Sequence, residues 1–336
     1  MESIKPVKCC ELENIDKMDI IRTASYHRRG FDVSVLRKNP RDHDQVRTSL
    51  LQTIPTTSLT LAEIEFLPLD VILDIFSLLD IQSLFNFRHV NRRALQLVAR
   101  TRGYDVVIRH ALGSLRTILR TKVASWFTIL DLFKALCSSS FGGFIFLPSF
   151  MRCCFCCFRM DHLPSVAQVS TAKELFKPSQ SYLRGLVPMV TTLPGSYADI
   201  VRTQRYQIMP TEFVGTLSAR GRHSTTRLQV SLSLKYMVTT SLPYLDVESG
   251  VLQNGICCSG CDAFLRKDHP EISPNPLLED LWTLRDKVYS YDEFMEHFRG
   301  CREAQSLWKL NNQGIDVSEI SGFFEPGGGE IRLPSN

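Results

Sequence analysis

Phe66-Leu67-Pro68-Leu69-Asp70-Val71-Ile72-Leu73-Asp74-Ile75-Phe76-Ser77-Leu78-Leu79-Asp80-Ile81-Gln82-Ser83-Leu84-Phe85-Asn86-Phe87-Arg88-His89-Val90-Asn91-Arg92-Arg93-Ala94-Leu95-Gln96-Leu97-Val98-Ala99 is the stretch on which the reading of this chain turns. Pro68 suits the first turn of a helix, where its missing N–H would be unpaired in any case. Asp70 then sits near the positive end of the helix dipole. Asp80 and Ser83 are cap-type residues before Leu84-Phe85-Asn86-Phe87, and Asn91 suits the start of a helix that turns Ala94, Leu95 and Val98 inward. Three short helices are expected. Leu67, Val71, Ile72, Ile75, Phe76, Leu78 and Leu79 are too many apolar residues for one buried face, and a bundle this small cannot enclose them all. A second surface has to cover the excess.

The Leu-Pro start, the Asp-Val-Ile-Leu-Asp-Ile-Phe run, the Leu-Leu-Asp step, Ser83-Leu84 and Val90-Asn91-Arg92-Arg93 together resemble an F-box. The resemblance implies docking, mainly through apolar side chains, onto the Skp-type adaptor of a cullin–RING (SCF) ubiquitin ligase. It places Leu67, Pro68, Ile72, Ile75, Phe76, Leu79, Leu84 and Val90 at the family's apolar or proline positions, as the expected partner-binding set. Ala94 stands where many F-boxes have tryptophan, a departure that removes one large packing residue. An ordinary helical hairpin would carry similar stripes, but here the match spans three helices with their turns.

Outward from this module, residues 1–60 lack sustained periodicity and read as a poorly ordered leader. The helical pattern runs from about 61 to 137 through Ile108, Leu112, Leu115 and Leu119. Further on, Leu228, Val230, Leu232 and Leu234 alternate with polar residues, the period-two pattern of a strand with one wet face. Gly327-Gly328-Gly329 marks a flexible tail over 326–336. There is no internal repeat of ~20–50 residues. The expected fold class is α+β: an F-box module at 64–102 followed by a mixed α/β, cysteine-containing domain at 104–325, with no repeat array.

Two cysteine groups stand out. Cys153-Cys154-Phe155-Cys156-Cys157 follows an expected strand at Gly143–Leu147 and holds two Cys-x-x-Cys pairs, but zinc takes four ligands and only Cys137 precedes it nearby. Cys258-Ser259-Gly260-Cys261 is followed, after 35 intervening residues, by His297 and, four positions on, Cys301. His297 and Cys301 would share one face of a helix that starts at the capping box Ser290-Tyr291-Asp292-Glu293 and carries Phe294, Phe298, Ala304, Leu307 and Trp308 inward. Cys258, Cys261, His297 and Cys301 thus make a candidate zinc tetrad. Packed thiols with a helix-surface histidine fit the same spacing.

These two segments also resemble a group of F-box proteins from filamentous fungi. Phe141–Pro148 with Arg152–Cys154, Gly255–Cys261, Tyr291–Cys301 and Glu303-Ala304-Gln305 carry that resemblance to near the C-terminus. It does not itself imply a metal.

Composition excludes several classes. The chain has 336 residues, a net charge of +4, 44% hydrophobic and 22% charged residues and eleven cysteines. That is ordinary globular composition with about two domains' length, too little basic excess to suggest nucleic acid and too few cysteines for a disulfide scaffold. The thiols read as reduced and the protein as intracellular, in cytoplasm or nucleus. The uncharged stretch between Lys134 and Arg152 is broken by serines, glycines and Pro148 and reads as a buried strand and turn, so no membrane is expected. Arg220, Arg222, His223 and Arg227 read as a solvated loop. Phosphate-binding, dinucleotide-binding and His-Glu-x-x-His motifs are missing, and no orienting carboxylate or oxyanion cradle accompanies Cys261 and His297. The expectation is a non-catalytic adaptor that brings an unknown protein substrate to an SCF ligase, with zinc as an open question. The alternative is a zinc-stabilised structural or transcription-associated interaction protein without a ubiquitin role.

Overall fold

The computed structural model describes residues 17–37, 48, 50–51, 60–138, 141–159, 162–176, 187–197, 200–212, 232–268, 279–310, 324–325 and 329–330. It opens with α1 (Lys17–Ala24), β1 (Ser25–Tyr26) and α2 (Arg29–Ser34). A 3-10 turn (Ala62–Phe66) leads into α3 (Leu69–Leu78), α4 (Ile81–Arg88), α5 (Arg92–Ala99), α6 (Tyr104–His110), α7 (Leu112–Arg120) and α8 (Ile129–Leu136). The chain then alternates short elements: β2 (Phe144–Phe146), β3 (Met151–Cys153), α9 (Phe155–Arg159), β4 (Val166–Gln168), α10 (Val169–Phe176), β5 (Val190–Thr191), β6 (Gly195–Tyr197), β7 (Ile200–Arg202), β8 (Gln207–Pro210), α11 (Leu232–Tyr236), β9 (Thr239–Ser241), β10 (Tyr244–Leu245) and β11 (Leu252–Gln253). It closes with β12 (Cys257–Cys258), α12 (Ser259–Asp268), α13 (Glu279–Asp286), α14 (Tyr291–Gly300), α15 (Arg302–Leu310) and the hairpin β13 (Phe324–Glu325) and β14 (Gly329–Glu330). This is the expected α+β class: many helices with small antiparallel sheets and no repeat array among the described residues.

The caps expected from sequence are formed. Asp80 accepts the Ser83 amide at 2.9 Å and Asn91 accepts that of Ala94 at 2.8 Å, which satisfies donors that the first turns of α4 and α5 leave open. A second capping box, Thr128 with Asp131, starts α8. The helical triplet is fastened to α8's approach by the Ile81 amide donating to Phe127 O at 2.8 Å and the Gln82 amide to Ala124 O at 3.2 Å.

Most apolar side chains share one large core. Ile72, Phe76, Leu84, Leu97 and Val98 of the triplet pack in it with Val107, Leu115, Ile118 and Leu132 and with the strand residues Phe144–Phe146. The sheet order is β3-β2-β9, antiparallel, with Phe144 opposite both Cys153 and Ser241. Strand β2 is covered on both faces, which explains its unbroken apolar run. Leu147 is buried too, so within the stretch from Lys134 to Arg152 residues 144–147 form the expected buried strand, with a turn after it. No helix among the described residues is long and apolar enough to cross a membrane.

A second, smaller core holds Ile20, Ile21, Ala24, Ile256, Cys258, Cys261, Tyr289, Phe294, Phe298, Cys301, Ala304 and Trp308. The stretch 17–36 stitches the two cores together: Ile20 and Ile21 enter the small one, while Tyr26, Phe31, Val35 and Leu36 enter the large one. Strand β1 pairs antiparallel with β12, Ser25 opposite Cys258, and the Leu36 amide donates to Thr239 O at 2.8 Å. The Phe31 and Phe155 rings stack with centroids 3.6 Å apart, and Arg28 pairs with the buried Asp286.

Two expectations are corrected. Residues 17–36 are not a poorly ordered leader; α1 is eight residues with three inward apolar side chains, too short to announce itself by periodicity and held by tertiary packing. Residues 1–16 and most of 38–59 lie outside the described residues. Leu232 and Leu234 are not strand residues but belong to α11, where Leu234, Lys235 and Tyr236 are all buried; the alternation does not mark a wet face because neighbours enclose the turn. Residues 228–231, and the arginine loop 220–227, lie outside the described residues. Within the expected flexible tail over 326–336 only residues 329–330 are described, as β14 paired with β13.

Ile20 is fully buried. Ile20→Ala should therefore cost about 2–5 kcal/mol in chemical denaturation, as for other core truncations. An unpacked leader would give a change within about 0.5 kcal/mol.

Candidate functional site

The helical triplet presents two faces. Inward go Ile72, Phe76 and Leu84, each no more than 3% exposed. Outward go Ile64, Phe66, Leu67, Leu69, Val71, Ile75, Leu78 and Val90, with Phe66 87% and Leu78 78% exposed. These eight are drawn from 27 residues, yet they are eight of the nineteen large apolar side chains exposed among the described residues. Scattered exposed leucines need no explanation, whereas this density marks an interaction surface. The face is held firmly from behind. Phe76 meets Phe87 with centroids 4.9 Å apart, and Glu65 on the entering turn is paired with Arg93 of α5, whose hydrogen bond keeps the half-buried carboxyl below its usual range.

The second constellation lies in the small core. Cys258 ends β12, Cys261 is in the first turn of α12, His297 is in the last turn of α14, and Cys301 follows that helix. Their donor atoms all lie within 4.8 Å of one another. Cys258 Sγ is 3.8 Å and Cys261 Sγ 3.9 Å from Cys301 Sγ, and Cys261 Sγ is 3.4 Å from His297 Nε2. The Tyr289 hydroxyl is 3.3 Å from His297 Nδ1, which leaves Nε2 for the sulfurs. The thiols share their protons unequally. Hydrogen bonds to Cys261 and Cys301, with burial, raise the Cys258 thiol, while hydrogen bonds from Cys258 and Cys261 favour a thiolate at Cys301. Three sulfurs and one imidazole nitrogen, all protein-borne, form a donor set suited to zinc.

His297 and Cys301 are expected on one helix, but the structure ends that helix at Cys301. Cys301 has φ −92° and ψ 103°, an extended conformation that ends α14 and lets α15 start at Arg302. The break turns the thiol back onto the cluster, and the Ser290–Glu293 capping box fixes the other end of α14 as expected.

A family model for the F-box domain matches residues 64–105. The chain carries an F-box domain. No curated protein and no solved structure matched the chain. F-box domains generally mediate binding to Skp-type adaptors in SCF ubiquitin ligases.

Within this F-box the eight residues singled out from sequence divide by depth. Leu67, Pro68, Ile75 and Val90 are exposed and Leu79 is half-buried, so these can touch a partner directly. Ile72, Phe76 and Leu84 are buried in the chain's own core and support the face from within. The exposed face also holds Ile64, Phe66, Leu69, Val71 and Leu78, which are not in the expected partner-binding set; Val71 and Leu78 belong to the apolar excess that one inward stripe cannot hold. Ala94, at the position often held by tryptophan, is fully buried, so the smaller side chain fits a tighter contact.

The proximal cysteines do not assemble a comparable set. Cys153 is buried in β3, Cys154 and Cys157 lie 3.5 Å apart, and Cys156 faces the Thr283 carbonyl at 3.7 Å. Only the distal four form a metal-type group of three or more donors among the described residues.

Gly260 explains the turn of the distal pair. A Cβ there would lie 2.2 Å from Ala304 N and 2.7 Å from Ala304 Cα, so α15 can approach the cluster only over a glycine. Gly→Ala inside a helix ordinarily stabilises by up to about 1 kcal/mol. Gly260→Ala should do the reverse, lowering the Tm while leaving the secondary structure of the F-box helices intact by circular dichroism and exchange.

Proposed function

We propose that the protein is a non-catalytic substrate receptor: its F-box docks on a Skp-type adaptor and the remainder of the chain recruits a protein substrate to an SCF ubiquitin ligase. The observation that carries the reading is the apolar outer face from Ile64 to Val90, backed by buried residues of the same helices. Such a face provides both affinity, from desolvated apolar anchors, and a rigid platform that loses little freedom on binding. Placing an F-box on one continuous core with α6–α8 and the β2 sheet would hold a bound substrate at a fixed distance from the ligase. Catalysis would then be proximity, a raised effective concentration of a substrate lysine beside a ubiquitin-charged partner.

A protein of this kind needs no nucleophile of its own. Cys258, Cys261 and Cys301 are each at most 8% exposed, and His297 leans on the Tyr289 hydroxyl rather than on a carboxylate, which supports structural use of these groups. This reading places the protein inside the cell, with reduced thiols, and involves neither nucleic acid nor membrane.

The test separates the two faces. Ile75→Asp and Leu78→Asp, on the exposed side, should each weaken binding to a purified Skp-type adaptor by more than about 2 kcal/mol in calorimetry, with the Tm nearly unchanged. Ile72→Asp, on the buried side, should unfold the module. Wild-type adaptor affinity in a folded Ile75→Asp, Leu78→Asp double variant would refute the assignment and favour a zinc-stabilised interaction protein outside the ubiquitin system.

A further inference from the structure

We infer that Cys258, Cys261, His297 and Cys301 hold one zinc ion in a closed tetrahedral site, and that this ion fastens the N-terminal helix α1 to the C-terminal helices. The inference is independent of the adaptor reading.

The geometry fits without rearrangement of the backbone. Zinc–sulfur bonds are about 2.3 Å, so a regular tetrahedron has sulfur–sulfur edges of about 3.8 Å, and nitrogen at about 2.0–2.1 Å shortens the sulfur–nitrogen edges slightly. Three of the six edges are 3.8, 3.9 and 3.4 Å, and all six are within 4.8 Å. Sulfurs at these separations are well beyond the ~2.05 Å of a disulfide, so the cluster is spaced around a common centre rather than paired.

The surroundings fit as well. The Cys261 amide donates to Cys258 Sγ at 3.5 Å, and Cys301 Sγ lies 3.7 Å from a Glu303 carboxylate oxygen. Cys258 stands three residues before the amide it receives, and the helices that begin just after Cys258 and Cys301, α12 and α15, turn their positive ends to the cluster. Three thiolates around a divalent ion carry one net negative charge, which these two helix ends offset. With Nε2 bound, Nδ1 keeps its proton and donates to the Tyr289 hydroxyl oxygen, an outer contact that fixes the ring. All four positions come from the protein, so no place remains for a metal-bound water, and the site is structural rather than hydrolytic.

The ion also meets a structural need. Among the described residues the small core has twelve buried side chains, contributed by several short elements and turns, and three of them are the cysteines themselves. A core of this size rarely holds without a covalent or metal clip. Ile20, Ile21 and Ala24 pack in it, and β1 pairs with the strand that carries Cys258. Metal binding free energy would therefore become docking free energy for α1.

The experiment uses the full chain, purified without a histidine tag. Elemental analysis should find about one zinc per chain that survives dialysis. Exchange for cobalt(II) should give the visible d–d bands and near-ultraviolet sulfur-to-cobalt charge transfer of a tetrahedral thiolate site. Cys261→Ser and Cys301→Ser should each lose the ion, whereas a Cys154→Ser, Cys157→Ser double variant should keep it. On chelation, hydrogen exchange should rise at residues 17–26 and 291–308 and stay unchanged in α3–α5. A well-folded wild type without zinc and without a cobalt spectrum overturns the inference, as does metal that follows Cys154 and Cys157 instead. Unchanged exchange at residues 17–26 in chelated protein would overturn the fastening of α1. Metal content and the cobalt spectrum are read on the wild type, so they decide for or against the site even if a cysteine variant fails to fold.

Discussion

Three helices of eight to ten residues have more apolar surface than they can turn toward one core, and the structure is arranged around that excess. One half is absorbed by the chain's own interior through Ile72, Phe76, Leu84, Leu97 and Val98; the other half, from Ile64 to Val90, is left to solvent. The inward half does more than stabilise. It makes the F-box continuous with α6–α8 and the β2 sheet, so the outward half is presented on a rigid block rather than on a tethered bundle. The side-chain caps of Asp80 and Asn91 matter for the same reason, since each defines where a short helix begins and hence which residues face out.

The rest of the molecule solves a different packing problem. Its second core is small and would be marginal alone, and it is built from both ends of the described chain together with a cysteine turn and two helices that meet at Cys301. Close approach is achieved where side chains are minimal: Gly260 under Ala304, and Gly255, at φ +87°, beside Val288 and the Phe141 ring. Placing soft donors at the centre of such a core concentrates its organisation on four residues.

What could be read from sequence followed from how local the cause was. Helix starts at Asp80, Asn91 and Ser290 were legible because a cap acts over three residues. The F-box was legible because turns and apolar spacing agree over a whole module. The tetrad was legible from residue type and spacing, although its geometry was not: the helix break at Cys301 has no local signal beyond the preceding Gly300. Residues 17–36 were illegible because their order comes from partners more than 200 positions away, as with Ser25 against Cys258. The turn of helix at Leu232–Tyr236 was misread since a short alternating pattern predicts a strand only if one side stays wet, and here both sides are covered. The division of the F-box apolar residues into supporting and presenting sets also required three dimensions, because consecutive residues such as Ile75 and Phe76 fall on opposite sides.

The pairing of β1 with β12 bears on how the chain comes to be folded at all. Ser25 leaves the ribosome about 230 residues before its partner Cys258. At synthesis rates of about 5–20 residues per second, α1 waits roughly 10–50 seconds with Ile20, Ile21 and Ala24 uncovered. Pairing over such a separation is entropically slow to form. The F-box helices, whose caps act over three residues, can form while the beginning of the chain is still searching. A nascent or truncated chain would then already display the outward apolar face, together with an unsheltered N-terminal helix, and would be a natural client for chaperones.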